Sequence, residues 1–328
     1  MIILTDCPSE TAQLLPPAWN NLAWDQCGEW LRPDQGLWRT LGKGKAPWSL
    51  RGAGSEAAED FWSRLILIAE SPRSQFDLLQ DRLGHYVREV GPVACVALRG
   101  SSFHGLRGRA WAAVEGNLHL SVAIAPSVTA MEYAPSLNML PAVAVVEAID
   151  SLGCARARPG IKWVNDILIQ GGKVAGVLTG TQVLRGQVDL AVFGIGVNVA
   201  LAPVISPTPF VPEVTCLHDV AAGRPPSLAE VLWTLLDTLA TRLRILQSAG
   251  PSGLFEDYRR LSMVIGRRVR LWDEASVLDE NPKSWPPAKT SGQVLDLGPD
   301  LCLRFGGQAD PVCRGRLAFE EACRNFGL

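Results

Sequence analysis

Lys162, Asn165, Asp166 and Lys173 interrupt a stretch otherwise fit for a protein core, running Ile161-Lys162-Trp163-Val164-Asn165-Asp166-Ile167-Leu168-Ile169-Gln170-Gly171-Gly172-Lys173-Val174-Ala175-Gly176-Val177-Leu178. Burying ammonium, carboxylate and amide groups without partners costs several kcal/mol, so these four need either one another or a ligand. One reading is a buried ion pair, Lys162–Asp166, at alternate positions on one face of a strand. The other is a site that takes a ligand. The residues by themselves leave both open. A second candidate is the glycine-broken loop Arg99-Gly100-Ser101-Ser102-Phe103-His104-Gly105-Leu106-Arg107-Gly108-Arg109-Ala110-Trp111. Its glycines let the backbone approach a ligand, and its guanidinium forks match phosphate or carboxylate oxygens. The bland alternative is a solvated basic loop with a surface histidine at His104. Gly194 and Gly196, inside the apolar strand 188–199, mark a bulge or a close backbone approach, with Asn198 at the strand's end.

The surrounding pattern supplies elements to hold these groups. Gly171-Gly172 suits a tight turn between two apolar strands. Residues 65–69 and 92–98 read as buried strands, 75–90 as a helix, 117–124 as an alternating strand and 137–152 as a helix with apolar periodicity. The prolines at 203, 207, 209 and 212 make an irregular connection. Ser227-Leu228-Ala229-Glu230 is a capping box opening an amphipathic helix to about residue 248, stopped by Gly250-Pro251. After Gly266 the texture changes to short strands over 268–272, 292–297, 301–305 and 315–319, a small all-β module.

The chain's bulk properties narrow the function classes. A length of 328 residues predicts two domains with an appendage, and 47% hydrophobic content supports a large core. A net charge of −2 gives no basic field, so nucleic-acid binding has no compositional support. The eight cysteines are scattered without a C-x-x-C pair, which argues against a zinc site or disulfide framework and fits a reducing cytoplasm. No apolar run reaches ~18 residues, and the first residues carry no basic leader, so neither export nor a membrane span is expected. Residues 1–61 form a tryptophan-rich, loop-rich lobe holding Trp19, Trp24, Trp30, Trp38 and Trp48, whose indoles are expected to pack on a neighbouring domain. Gly52-Ala53-Gly54-Ser55 reads as a linker. No helix-turn-helix is visible, because acidic residues balance Arg32, Arg39, Lys43 and Lys45 and two patterned helices are lacking.

Three stretches resemble, in order and spacing, the motifs of biotin protein ligases. Lys162-Trp163-Val164-Asn165-Asp166 resembles K-W-P-N-D with valine for proline. Gly172-Lys173-Val174-Ala175-Gly176-Val177 resembles the K-x-x-G segment, and Gly194-Ile195-Gly196-Val197-Asn198-Val199 resembles G-I-G-I-N-V. The resemblance covers about residues 62–320. It implies an α+β fold, a mixed β-sheet packed with helices like that of class II aminoacyl-tRNA synthetases and biotin ligases, over residues 62–262, followed by a C-terminal SH3-like small β-barrel over 263–328. It also implies a two-step, ATP- and Mg²⁺-dependent reaction. Biotin's carboxylate attacks the α-phosphate to give biotinyl-5′-AMP, and a lysine of a biotin carboxyl carrier domain then takes the acyl group. By this resemblance Lys173 and Asp166 are catalytic, with Ser71, Arg107, Trp163, Lys173 and Gly176 on biotin. Arg109, Trp111, Asn117, Asn165, Gly196 and Asn198 are then on ATP, and Asp166 and Asn198 on the metal. Edge-to-edge pairing of sheets into a homodimer is common in the family, and these residues do not place it.

The departures are specific. The family's arginine loop, G-R-G-R-x-G-R-x-W, has His104 and Leu106 at two arginine positions, and Ser71-Pro72-Arg73 replaces S-T-N. Glu320 stands near an expected arginine. The loop change predicts a leakier adenylate, a different acid, or lost activity. Two alternatives therefore remain: a ligase or acyltransferase for lipoate or another carboxylic acid, and a non-catalytic small-molecule-binding relative.

Overall fold

The computed structural model describes residues 1–16, 19, 23–26, 38, 47–51, 60–82, 84–277 and 282–328. The linker expected at 52–55, Trp30, Arg32, Arg39, Lys43 and Lys45 lie outside them. The chain opens with β1 (Ile2–Thr5) and a single helical turn, α1 (Pro8–Thr11), then β2 (Asp25–Gln26) and β3 (Trp48–Arg51). Next come β4 (Arg64–Ser71), the helices α2 (Gln75–Arg82) and α3 (Gly84–Val90), then β5 (Val93–Gly100), β6 (Leu118–Ile124) and β7 (Val128–Thr129). The long helix α4 (Ala130–Ser151) leads to β8 (Gly160–Lys162), β9 (Asp166–Ile169), β10 (Gly172–Leu184) and β11 (Gln187–Val197). Helices α5 (Leu228–Ala249) and α6 (Ser252–Leu261) precede a second sheet of β12 (Arg268–Trp272), β13 (Thr290–Leu297), β14 (Leu303–Phe305) and β15 (Arg316–Phe319), closed by α7 (Glu320–Asn325).

The first sheet runs β2-β3-β1-β4-β5-β6-β11-β10-β9-β8, with β7 on β11; the second is antiparallel, β14-β13-β12-β15. This is a mixed α+β fold with a small antiparallel module. Strand β4 shows why its sequence reads as a continuous apolar run. Leu65 and Leu67 point to the face covered by α4, α5 and α6, while Ile66 and Ile68 meet Phe76, Leu79 and Val87 of α2 and α3 on the other. A strand buried on both faces has no polar side to alternate with. Arg242 of α5 clamps the helical layer, reaching both Glu147 of α4 and Asp257 of α6. Helix α5 begins at the expected capping box, with the Ser227 hydroxyl accepting from Glu230 N at 3.2 Å.

Several expectations are corrected. Helix α4 starts at Ala130, seven residues earlier than the apolar periodicity suggested, and carries Pro135 and Pro141 inside it. Pro141 has no N–H for the Leu137 carbonyl; the Thr179 hydroxyl donates to that oxygen at 3.4 Å. Helix α6 had no counterpart in the sequence reading. Within the tryptophan-rich stretch 1–61 the structure adds strands the sequence did not suggest: β1 lies parallel beside β4 and antiparallel to β3, extending the main sheet. Trp19 does pack inward: it meets Trp233 of α5 edge-on at 5.4 Å, and the Trp233 N–H donates to Leu14 O at 2.7 Å. The cysteine expectation also changes, because Cys302 and Cys313 form a disulfide. The antiparallel bridge Leu303–Val312 brings them together, a long-range pairing that an eleven-residue spacing does not advertise. Cys7, Cys95, Cys154, Cys216 and Cys323 are free thiols.

Candidate active site

The hairpin carrying the charged groups differs from its sequence reading in ways that make the site. The turn between β9 and β10 is Gln170-Gly171, both at positive φ (51° and 92°), so Gly172 already pairs with Ile169. This is the two-residue primed turn that matches the twist of the flanking strands. Upstream, the chain reverses at Trp163-Val164-Asn165, so Lys162 and Asp166 are cross-strand partners of β8 and β9 rather than neighbours along one strand. They do not form the ion pair considered above. The Lys162 ammonium donates to Phe210 O, and Asp166 instead pairs with Lys173, Oδ1 to Nζ 2.5 Å. The β9–β10 register shifts between Lys173 and Ala175. That extra residue is a bulge, which re-aims side chains; here it lays Lys173 over Gly176, whose missing Cβ would stand 3.3 Å from Lys173 Cε.

Register then builds the floor. Asp166 faces Gly176, Gly176 faces Gly196, and Gly196 faces His119, one row across β9, β10, β11 and β6. Trp111 lies on the two glycines; a Cβ on Gly196 would sit 2.3 Å from Trp111 Cζ2 and one on Gly176 3.3 Å from Cζ3. The glycine pair therefore marks a close approach, and the β11 backbone carries no bulge there. The Trp111 N–H donates to His119 Nδ1 at 3.3 Å, and His119 Nε2 in turn meets Val114 O at 3.1 Å. Burial lowers the His119 imidazole to about 4, against the opposing pull of the Val114 carbonyl, so it stays neutral and accepts from the indole. Lys173 Nζ stands 5.6 Å from the Trp111 ring centroid.

These groups line a cavity of about 250 Å³. Phe76, Phe103 and Leu178 give it an apolar end with Ser74 and Gln75, and Asn165, Asp166, Lys173 and Asn198 a polar one. Burial raises the Asp166 carboxyl, but Lys173 and Lys162 outweigh it and hold the group below the usual carboxylate range. Burial pulls Lys162 down to about 8, with Lys173, Arg316 and Arg109 adding to the effect. Two buried polar atoms of the lining, Gln75 Nε2 and Asn198 Oδ1, have no partner among the described residues. Such atoms are costly unless a ligand completes them.

Of the residues singled out in the sequence, Lys173, Asp166, Asn165, Gly176, Trp111, Gly196, Arg109 and Asn198 come together around this cavity. Four do not. The Ser71 hydroxyl donates to Arg73 O at 2.8 Å and does not line it; Ser74 and Gln75 do. Arg107 points away to Glu274 of the β module at 2.5 Å. Trp163 donates to Leu301 O at 2.7 Å and lines a smaller neighbouring cavity. The Asn117 Oδ1 accepts from Val199, Ala200 and Leu201 N, bracing the loop after β11. His104 is half-buried, not a surface residue; it closes on Asp77 of α2 at 2.9 Å. His119, Ser74, Gln75 and Arg316 were missed. For His119 a signal existed, since His119 and Ser121 alternate with Leu118, Leu120 and Val122, placing polar groups on one face of an otherwise apolar strand.

A mixed sheet backed by helices, with a lysine–carboxylate pair on a glycine floor beneath an indole, defines the class of acid–protein ligases. Residues 77–198 match the Biotin/lipoate A/B protein ligase family. The biotin–[acetyl-CoA-carboxylase] ligase of Mycobacterium tuberculosis (strain ATCC 25618 / H37Rv) is 30% identical over 268 residues, 81% of this chain and 91% of the relative. The bifunctional ligase/repressor BirA of Bacillus subtilis (strain 168) is 32% identical over 53% of each chain. A biotin protein ligase from Aquifex aeolicus, solved with biotin and ATP, superposes with a TM-score of 0.58 at 21% identity, over 77% of this chain and 97% of that one, a likeness of fold. The chain belongs to the biotin protein ligase family.

Proposed function

We propose that this chain is an ATP-dependent ligase that activates biotin as biotinyl-5′-AMP and transfers the acyl group to a lysine of a biotin carboxyl carrier domain. The observation that carries the reading is the Lys173–Asp166 pair held at 2.5 Å beside Gly176, in the row that also seats Trp111. Two anions, a carboxylate and a phosphate, repel each other in a cavity of low dielectric, and a fixed ammonium offsets that repulsion most as charge builds on the α-phosphate. Lys173 is fixed by its carboxylate partner, by the bulge and by backbone bonds on both sides, Lys173 N to Glu213 O and Thr215 N to Lys173 O, each 3.0 Å. Trp111 offers an indole face to adenine, and Gly196 lets that indole lie against the strand. Ser74 and the unpartnered Gln75 Nε2 offer polar groups to a ureido ring at the apolar end. Lipoate, whose dithiolane ring has no N–H or carbonyl, would leave both unmet; this favours biotin over the lipoate alternative.

The donors present fit Mg²⁺, because Asp166 supplies a carboxylate and Asn198 Oδ1 is a buried oxygen without a partner. Mg²⁺ takes few protein ligands and fills its shell with phosphate and water, so Asp166 and Asn198 would hold it, where it would neutralise phosphate charge. The 103–111 loop covers the cavity through His104 and Arg109. A pyrophosphate-release assay with ATP and biotin, run beside lipoate, tests the reading. Biotin should support release, and Lys173→Ala should slow it about 10²–10³-fold. Release with lipoate alone, or equal rates in wild type and variant, would sink it.

A further inference from the structure

Cys302 and Cys313, joined in a disulfide, lie in the β module. They face each other beside the Leu303–Val312 bridge, in which Leu303 N donates to Val312 O and Val312 N to Leu303 O, each at 2.9 Å. In an antiparallel pair the residues next to such a doubly bonded couple stand closer together. The active site does not use this bond, yet its place matters. Each sulfur sits at the root of a segment by which the module reaches the β8–β9 turn.

The first segment is the turn 298–302. Leu301, the residue before Cys302, accepts the Trp163 N–H on its carbonyl at 2.7 Å. Its φ is 65°, in the left-handed region that L side chains rarely adopt. Such a residue persists only where its surroundings over-determine it. Here Leu301 N donates to Gly298 O and Gly298 N to Cys302 O, both at 2.9 Å, Cys302 N donates to Asp300 Oδ1 at 3.0 Å, and the disulfide fixes Cys302 from across the pair. The second segment leaves Cys313 for Gly315, Arg316 and Leu317, which line a small cavity of about 40 Å³ together with Lys162, Trp163 and Asp166. A Cβ on Gly315 would stand 2.4 Å from Leu271 Cδ2 and 2.6 Å from Trp272 O, so this segment has little slack. One covalent bond thus ties together two of the module's approaches to the turn. Cys302 is buried, but Cys313 is exposed. Exposed disulfides are the labile and regulatory kind.

We propose that Cys302–Cys313 is a thiol–disulfide exchange site that takes a dithiol reductant at Cys313, and that its redox state sets how firmly the module holds the β8–β9 turn. A thiolate of the reductant attacks Cys313 Sγ, the Cys302–Cys313 bond breaks, and Cys302 Sγ leaves as a thiolate that takes up a proton. The reductant's second thiolate then attacks the reductant sulfur of the mixed disulfide and releases Cys313, which is protonated in turn. Two electrons and two protons pass to the pair, and the reductant leaves as its own disulfide. Freed of the bond, Leu301 relaxes from its left-handed conformation and its carbonyl turns off Trp163. The consequence for the adenylate rests on the ligase reading above; the loosening of the turn does not.

Hydrogen exchange on the whole chain reads the turn directly. After treatment with dithiothreitol, amides of residues 161–167 should exchange about tenfold faster or more. Those of α4 should keep their protection, and reoxidation should restore the slow rate. Escape of biotinyl-5′-AMP should quicken in step. The double variant Cys302→Ser, Cys313→Ser should match the reduced protein and ignore dithiothreitol. Equal exchange at the turn in the two states would overturn the inference. So would a general loss of protection across α4 and the main sheet, which would make the bond a plain staple. Faster exchange at the turn, with no adenylate formed in either state, would uphold the inference and sink the ligase reading instead.

Discussion

Gly196 is the residue where the least chemistry does the most positioning. Its backbone takes the weight of the Trp111 indole, and a methyl group there would collide with Cζ2 and Cε2 at 2.3 and 2.4 Å. Gly196→Ala should therefore fold normally yet lift the indole from its seat. Stacking on a base is worth about 1–3 kcal/mol, so KM for ATP should rise roughly ten- to hundredfold while biotin affinity holds. An unchanged KM with altered tryptophan fluorescence would show that the indole moves and does not serve the nucleotide. His119, beneath the same indole, carries a pH signature. Its folded value, about 4, lies below the ordinary imidazole value of about 6.5. Its contribution to stability is thus full above that ordinary value and is lost as pH falls through about 4. Urea midpoints should drop over this window in the wild type and drop less in His119→Gln; identical slopes would remove His119 from the account. At this scale the sequence shows residue types well and partners poorly. Lys173, Asp166, Asn165 and the two glycines are legible because each is out of place in an apolar strand. Gln75 and Arg316 are not, since a polar residue at the first position of a helix or strand is ordinary, and both gain meaning only from what faces them across the fold.

Among elements, the 103–111 loop is the one whose behaviour its residues decide. It is a narrow hairpin, Gly105 N to Arg109 O at 2.7 Å and Trp111 N to Phe103 O at 2.9 Å, so its tip can swing as one piece. Two ion pairs hold it down, His104–Asp77 on the α2 side and Arg107–Glu274 on the module side. The expectation of a leaky loop counted only the arginines lost at 104 and 106; the structure shows His104 used as a latch to the protein rather than as a ligand. That latch titrates. The Gly105 carbonyl first, against burial, and then the Asp77 carboxylate hold His104 above its ordinary value. The stabilisation is complete below about pH 6.5 and is lost as pH rises through the raised value. Escape of biotinyl-5′-AMP, followed by filtration of the loaded enzyme, should accelerate as pH rises above the ordinary imidazole value of about 6.5. In His104→Gln it should be fast and flat. A wild-type escape rate that ignores pH would mean the loop is held by its backbone alone. The strands were legible as apolar runs because both faces of the sheet are covered. The bulge at Lys173–Ala175 was not, since one added residue leaves no mark in composition, and it is what swings Lys173 over Gly176.

For the whole molecule, the question is whether the small β module merely caps the sheet or holds the Asp166–Lys173 hairpin in place. The β8–β9 turn is gripped from two sides. From α6, the Tyr258 hydroxyl donates to Val164 O at 2.7 Å, and Met263 N, just beyond that helix, donates to Ile161 O at 2.8 Å. From the module, Leu301 O accepts the Trp163 N–H at 2.7 Å. Phe210, whose carbonyl takes the Lys162 ammonium, is wedged between Trp272 and Trp285. A hairpin held so on both sides cannot move Asp166 or Lys173 without moving the module, so the two bodies should lose their function together. Trp163→Phe isolates one link. A smaller aromatic ring stays, the indole N–H and part of its buried volume are lost, and the Leu301 carbonyl loses its donor, for a cost of at least about 1 kcal/mol in stability. If the module governs the site, adenylate escape should quicken and KM for ATP should rise in the same variant, because the module also carries Glu274 and Arg316. A variant that is less stable but retains adenylate and binds ATP as the wild type does would show that the module is scaffold, and that the hairpin needs only α6.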